Sequence, residues 1–154
     1  VELLFDVRRS PFSRRNPQFN RPTLSEALDE CGISYRHLAE LGGMREAGAS
    51  PSPNCALPEG AFRNYADYAA SFIFQETLKK VISESDRQRI ALICAESGWR
   101  HCHRRIIADH LISYGKNVLH LGPNGEEEAA APDPLAMITG PGQVTYPPRQ
   151  GDLF

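Results

Sequence analysis

Residues 89–94 read Arg-Ile-Ala-Leu-Ile-Cys, and residues 103–114 read His-Arg-Arg-Ile-Ile-Ala-Asp-His-Leu-Ile-Ser-Tyr. A short apolar run bounded by polar residues is the pattern of a strand, and this is the clearest one in the chain. The second stretch sets Ile106, Ile107, His110 and Leu111 on one helical face, and Gly115 then ends the helix. A strand passing through a polar loop into a helix is the repeating piece of an α/β fold.

The pattern extends in both directions. Val1 to Val7 (VELLFDV) reads as a buried strand, and Arg8 to Pro22 as a loop containing Pro11, Pro17 and Pro22. Thr23-Leu24-Ser25-Glu26 forms a capping box. Leu24, Ala27, Leu28 and Cys31 follow at helical spacing, with Cys31 expected as a buried thiol and Gly32 as the stop. Ile33 to Leu38 is a second strand, Leu41 to Pro58 an irregular excursion, and Phe62 to Ser83 a helical region with Phe74, Leu78, Val81 and Ile82 on its apolar stripe. Val118 to Leu121 gives a further strand. The expected fold is therefore a single α/β domain, mostly parallel sheet flanked by helices and Rossmann-like, over residues 1–122. Residues 123–154 read as an acidic linker (Glu126 to Pro134) and an extended C-terminal tail. Ligands of parallel sheets bind beyond the carboxyl ends of the strands, so the loops after Val7 and Cys94 are expected on one edge.

Composition narrows the class. The chain has 154 residues, 41% hydrophobic and 23% charged, which suits one globular domain. No apolar run approaches the roughly 20 residues needed to span a bilayer, so no membrane is expected. A net charge of −2 argues against a protein that coats nucleic acid generally, though a local basic patch remains open. Four cysteines are too few for a secreted disulfide scaffold, so free thiols and a cytoplasmic location are expected. The chain opens at Val1 in a strand-like run without an initiator Met, so an N-terminal piece is expected to precede it.

Cys94 to Arg105 carries the strongest chemical signal. It concentrates Cys94, Glu96, Cys102, His103 and Arg104 between a strand and a helix N-terminus, where backbone N–H groups and the helix dipole favour anions. Thiols in such settings are activated. Three readings stay open. In one, Cys94 or Cys102 is a nucleophile, His101 or His103 a base and Arg104 an anion contact; Glu96 in the loop would repel a phosphate. In another, the cysteines and a histidine hold zinc, but paired Cys-x2-Cys spacing is absent, so no metal is expected. In the third, the thiols are packing residues and Arg104 covers the helix. Gly42-Gly43 lacks a helix of the right register behind it, and no cofactor is expected. Asp109, at i+4 from Arg105, reads as a helical ion-pair partner. Tyr65, Tyr68 and Phe72 read as packing residues.

The loop after Val7 holds Arg8, Arg9, Arg14, Arg15 and Arg21, interleaved with Phe12 and Phe19. Arginine suits bidentate contact with phosphate, and aromatics stack on bases. Arg8, Arg14 and Arg15 are the expected anion contacts, with nucleic acid or a nucleotide as the ligand class. Asp6 could orient an Arg or His there, or cap the loop backbone.

The series LLFDVRRSPFSRRNPQFN, YRHLAELGG, FRNYADY and ALICAE…CHRRIIADHL resembles the family called domain of unknown function 488, over most of Leu3 to Leu121. The resemblance implies an α/β domain of undefined activity. It draws attention to Asp6, Arg8, Arg14, Arg15, Asn16, Leu41, Gly42, Gly43, Cys94, Glu96, Cys102, His103, Arg104 and Asp109. Members usually begin with an earlier strand carrying a Gly-His-Ser segment, which this chain lacks.

The last five residues, Gln150-Gly151-Asp152-Leu153-Phe154, resemble the short peptide by which bacterial replication and repair proteins dock on the DNA polymerase sliding clamp. Gln150 would anchor one end, and Leu153 and Phe154 would enter an apolar pocket. Gly140-Pro141-Gly142 and Pro147-Pro148 read as the tether. Two functions follow as expectations. One is an enzyme-like domain acting on nucleic acid or nucleotides, the other a non-catalytic module of DNA replication or repair recruited to the clamp.

Overall fold

The first apolar run of the chain becomes its central strand. The computed structural model describes residues 1–48 and 50–151. In it, β1 (Leu3–Asp6) lies between β2 (Ser34–His37) and β3 (Ile90–Ile93). Both pairings are parallel, with Leu3 opposite Ser34 and Ile90, and Asp6 opposite His37 and Ile93. A central parallel strand is covered on both faces, and Leu3, Phe5 and Asp6 are buried. The edge strand β2 alternates exposed and half-buried residues. Because the strands are parallel and in register, the loops after β1 and β3 leave from the same edge, where the Val7 N–H donates to the Ile93 carbonyl at 2.9 Å.

Between β1 and β2 runs α1 (Arg21–Glu30), which starts earlier than the Thr23 capping box implies. Asn20 is the N-cap residue and makes no side-chain cap bond, while Pro22 sits in the first turn. Proline there has its φ set for a helix and gives up an N–H the first turn would not use. Leu24 is the buried residue of this helix. Cys31 is exposed at the C-cap, which corrects the expectation of a buried thiol. Gly32 ends the helix at φ +73°, a conformation costly to residues bearing a Cβ.

The chain folds as two compact units, Val1–Gly43 with Glu76–Ala95, and Met44–Gln75 with Glu96–Phe154. The parallel sheet and α1 belong to the first. The second contains α2 (Ala61–Tyr68), the first turn of α3 (Phe72–Ser85), and α4 (Arg104–Ser113). The single helix expected over 62–83 is two, interrupted at 69–71. Ser71 restarts it, its hydroxyl accepting the Phe74 N–H at 3.3 Å. Phe72 is exposed rather than packed, whereas Tyr65 and Phe74 meet edge-to-face with ring centroids 5.9 Å apart. Ile106, Ile107, Leu111, Val144 and Tyr146 complete this unit's core.

Beyond Pro123 the chain is more regular than its composition implies. β4 (Leu119–Leu121) pairs antiparallel with β5 (Glu127–Ala129), so it forms its own ribbon outside the parallel sheet, and three residues of the expected acidic linker are strand. β6 (Met137–Gly140) and β7 (Gln143–Thr145) form a second hairpin. Gly140-Pro141-Gly142 is its turn, not a tether, with Gly142 at φ +73°. The alternation of Val144 and Tyr146 explains the order, since both side chains are buried. Among the described residues, no helix is long and apolar enough to cross a membrane.

Candidate functional site

In the first unit the carboxyl ends of β1 and β2 hold a buried polar cluster. Asp6 is fully buried, and its carboxylate accepts from Arg8 twice, Nε to Oδ1 at 2.8 Å and Nη2 to Oδ2 at 2.5 Å. The Arg8 backbone N–H and the Tyr35 hydroxyl also donate to it, at 3.1 and 2.6 Å. Burial alone would raise the Asp6 pKa, but the bonds from Arg8 and Tyr35 outweigh it and hold the carboxyl below its ordinary value. Burial and the carboxylate together push the Tyr35 hydroxyl up to about 12. Arg8 Nη2 also reaches the Phe19 carbonyl at 2.8 Å, tying down the far end of the arginine loop, and His37 Nε2 lies 2.7 Å from the Arg8 carbonyl. The guanidinium of Arg8 is thus engaged with its own chain, while Arg14, Arg15 and Phe12 stand exposed on the loop. Asp6 both orients an arginine and caps the loop. Tyr35 and His37 were not singled out from sequence; their i, i+2 spacing on β2 was the available signal.

Cys94 follows β3 in this first unit, half-buried, two residues before Glu96 in the chain. In the second unit, residues 96–104 fold around one sulfur. A 3₁₀ turn over Trp99–His101 brings Cys102 inward, 1% exposed, as the residue before His103, the N-cap of α4. Cys102 Sγ donates to Glu96 Oε2 at 3.4 Å and lies 3.7 Å from His103 Nδ1. Arg104 Nε donates to the same sulfur at 3.2 Å, and its Nη2 to the Glu96 carbonyl at 2.5 Å, clamping the loop. The His103 ring packs on Tyr65 with centroids 4.8 Å apart, which fixes its orientation. Glu96 is exposed, so the group is open on its side. Glu96, Cys102 and His103 each offer a ligand atom within 4.8 Å of the others. Within the second unit Glu96, Cys102 and His103 therefore meet, together with Arg104, although no paired-cysteine spacing announces them.

The loop is held from outside by aromatic and ionic contacts. Trp99 stacks on His120 of β4, centroids 3.8 Å apart and planes 6° from parallel, and Arg100 bridges to Glu128 of β5 at 3.0 Å. Burial lowers the His120 pKa, favouring the neutral ring.

Asp109, also marked by the resemblance, does not pair with Arg105. It is buried and accepts from the Tyr146 hydroxyl at 2.6 Å and the Asp133 N–H at 2.9 Å; Arg105 pairs with Asp133 instead. Burial raises the Asp109 pKa despite those bonds. Gln150 is exposed, while Leu153 and Phe154 lie outside the described residues.

The family model described as "Domain of unknown function DUF488" matches residues 1–111. The chain belongs to the DUF488 family. That match spans both polar clusters of this DUF488 chain and stops within α4. No curated protein matches the chain, and no solved structure does either.

Proposed function

We propose that this DUF488 chain is a Rossmann-like domain acting on nucleic acid or nucleotides, with the 96–104 loop as its chemical centre. The observation carrying the ligand class is the exposed set Phe12, Arg14 and Arg15 at the carboxyl edge of the parallel sheet. An exposed aromatic beside two solvated guanidinium groups combines a stacking surface with phosphate contacts, the pairing that single strands and nucleotides require. Arg8 supports that loop from beneath through Asp6 and Phe19. At the chemical centre, Glu96, Cys102 and His103 supply carboxylate, thiol and imidazole, and Arg104 orders them. A reducing, cytoplasmic location accords with the exposed thiols of Cys31 and Cys55.

The test is binding of fluorescent single-stranded DNA and RNA oligonucleotides and of labelled nucleotides to the full chain across a salt series. Saturable binding weakened by Arg14→Ala and Arg15→Ala, with a shallower salt dependence, supports the reading. Binding absent, or indifferent to both substitutions, rejects it.

A second reading is recruitment to a sliding clamp through Gln150, Leu153 and Phe154 on an extended C-terminal tail. It is favoured by the exposure of Gln150, four residues beyond the buried anchor Tyr146. Binding to a purified bacterial clamp that disappears on removing Leu153 and Phe154 supports it; equal binding by both forms rules it out.

A further inference from the structure

We propose that Glu96, Cys102 and His103 form a binding site for a zinc-class divalent cation. Zinc takes sulfur at about 2.3 Å and nitrogen or oxygen at about 2.0–2.2 Å in a tetrahedron. The edges of such a tetrahedron, the ligand-to-ligand distances, are then roughly 3.3–3.8 Å. Cys102 Sγ stands 3.4 Å from Glu96 Oε2 and 3.7 Å from His103 Nδ1, so both sulfur-centred edges already have the length a bound ion needs. All three ligand atoms lie within 4.8 Å of one another.

The donor set also selects the ion. A thiolate with an imidazole and a carboxylate suits zinc, whereas magnesium and calcium ask for oxygen alone. With Glu96 and Cys102 ionised, two negative charges face the two positive charges of the ion. The outer contacts fit the same role. Arg104 Nε donates to the sulfur at 3.2 Å, a positive partner for a thiolate, and the Tyr65 ring against His103 keeps Nδ1 turned toward the cluster. Cys102 is nearly inaccessible, which hinders a nucleophile meeting a bulky substrate but not a ligand to an ion entering past exposed Glu96. This claim stands on the 96–104 loop alone and does not need the nucleic-acid reading.

The experiment uses the full chain carrying Cys31→Ser and Cys55→Ser, which removes the exposed thiols that could collect metal on their own. After stripping with a chelator, zinc is titrated against a chromophoric competitor, and cobalt(II) is added to a parallel sample. The expected result is one zinc per chain and a near-ultraviolet thiolate-to-cobalt absorption. Cys102→Ser should abolish that absorption, and Glu96→Gln, at an exposed position that folding tolerates, should weaken zinc by about tenfold or more. No stoichiometric zinc uptake, or a cobalt complex without a thiolate band, overturns the proposal. Oligonucleotide binding on the same preparations separates the two claims. Zinc bound without oligonucleotide binding removes the nucleic-acid reading alone, and oligonucleotide binding without zinc uptake removes the metal alone.

Discussion

The Tyr146 hydroxyl donates to the buried Asp109 carboxylate at 2.6 Å, joining the residue after β7 to the middle of α4. The tie continues on either side of Tyr146. Its backbone N–H donates to Asn54 Oδ1 at 2.9 Å and its carbonyl accepts from Ala56, so three separated segments of the second unit depend on one side chain and its backbone. Tyr146→Phe keeps the ring packing and removes the donor to a buried carboxyl. The expected loss is about 1–3 kcal/mol of unfolding free energy, the usual cost of stranding a buried polar group. Urea denaturation of the two proteins measures it; a difference near zero would mean that the bond contributes nothing net.

Removing Arg8 should cost more. It is 7% exposed, and its guanidinium is the main partner of a fully buried carboxylate. Breaking such a pair from one side leaves an uncompensated charge, at about 3–5 kcal/mol. Arg8→Ala is expected to unfold at much lower denaturant. Arg8→Lys should rescue only a part, because one ammonium cannot replace two parallel N–H donors and also reach Phe19. The Asp6 carboxyl, held low by these bonds against the effect of burial, contributes stability above its unfolded pKa, and that contribution is lost on acidification. Arg8→Lys with wild-type stability would show that Coulomb attraction alone suffices there.

His110 sets a second acid limit. It is buried against Phe74, its Nε2 has no hydrogen-bond partner among the described residues, and burial pulls its pKa from 6.5 down to about 4. The unfolded chain therefore binds a proton that the folded chain refuses. Stability present above pH 6.5 should fall as pH drops toward 4, by about 3 kcal/mol at most. Asp109, whose pKa is raised, acts in the opposite sense: it favours the folded state at low pH and loses that contribution as pH rises through its folded value. Denaturation at a series of pH values between 7 and 5 follows this limb, to which His120, also lowered by burial, adds in the same sense, and His110→Asn should remove the His110 share of the slope. An unchanged slope would assign the acid limb to other groups.

These residues also mark how far the sequence was legible. The parallel sheet was readable because Ile90–Ile93 and Leu3–Phe5 are short apolar runs bounded by polar residues. The loop at Cys94 to Arg105 was readable because thiols, imidazoles and guanidinium groups crowd a strand-to-helix junction. The C-terminal half of the second unit was not. Gly140, Pro141 and Gly142 look like a tether by composition, yet glycine and proline are also what a hairpin turn uses, and only the burial of Val144 and Tyr146 distinguishes the two. Arg105 offered Asp109 a partner at helical spacing, but the sequence cannot tell that Asp133 returns to take that arginine. The meeting of Glu96 with Cys102 and His103 depends on a 3₁₀ turn whose local sequence has no distinctive spacing.

Thiol accessibility gives a direct check on the loop. Cys31 and Cys55 are exposed and Cys102 is buried. Under a limiting alkylating reagent at neutral pH, mass spectrometry should find Cys31 and Cys55 labelled early and Cys102 last, with Cys102 joining them once urea unfolds the chain. Early labelling of Cys102 in the folded protein would overturn its placement beneath Arg104 and favour a nucleophilic role over a ligand one.

Two glycines provide the final prediction, because one is crowded and the other is not. A Cβ added to Gly42 would stand 2.7 Å from the Arg9 Cα and 2.9 Å from both the Arg9 nitrogen and the Ala39 carbonyl oxygen. These are backbone atoms, so no side-chain rotation relieves the contact. The 3₁₀ turn ending at fully buried Leu41 would have to separate from the loop that follows β1. Gly42→Ala should therefore cost about 1–3 kcal/mol, the range of an overpacked site. Gly98 lies in the loop that carries Glu96 and Cys102; a Cβ there would meet nothing within 4 Å, and its φ is an ordinary −91°. Gly98→Ala should leave stability within about 0.5 kcal/mol of the parent. Paired thermal and urea unfolding decides it. Equal, small effects at both positions would mean that the segments around Arg9 and Gly42 yield easily, and that the close approach of their backbones is not what makes glycine necessary at position 42.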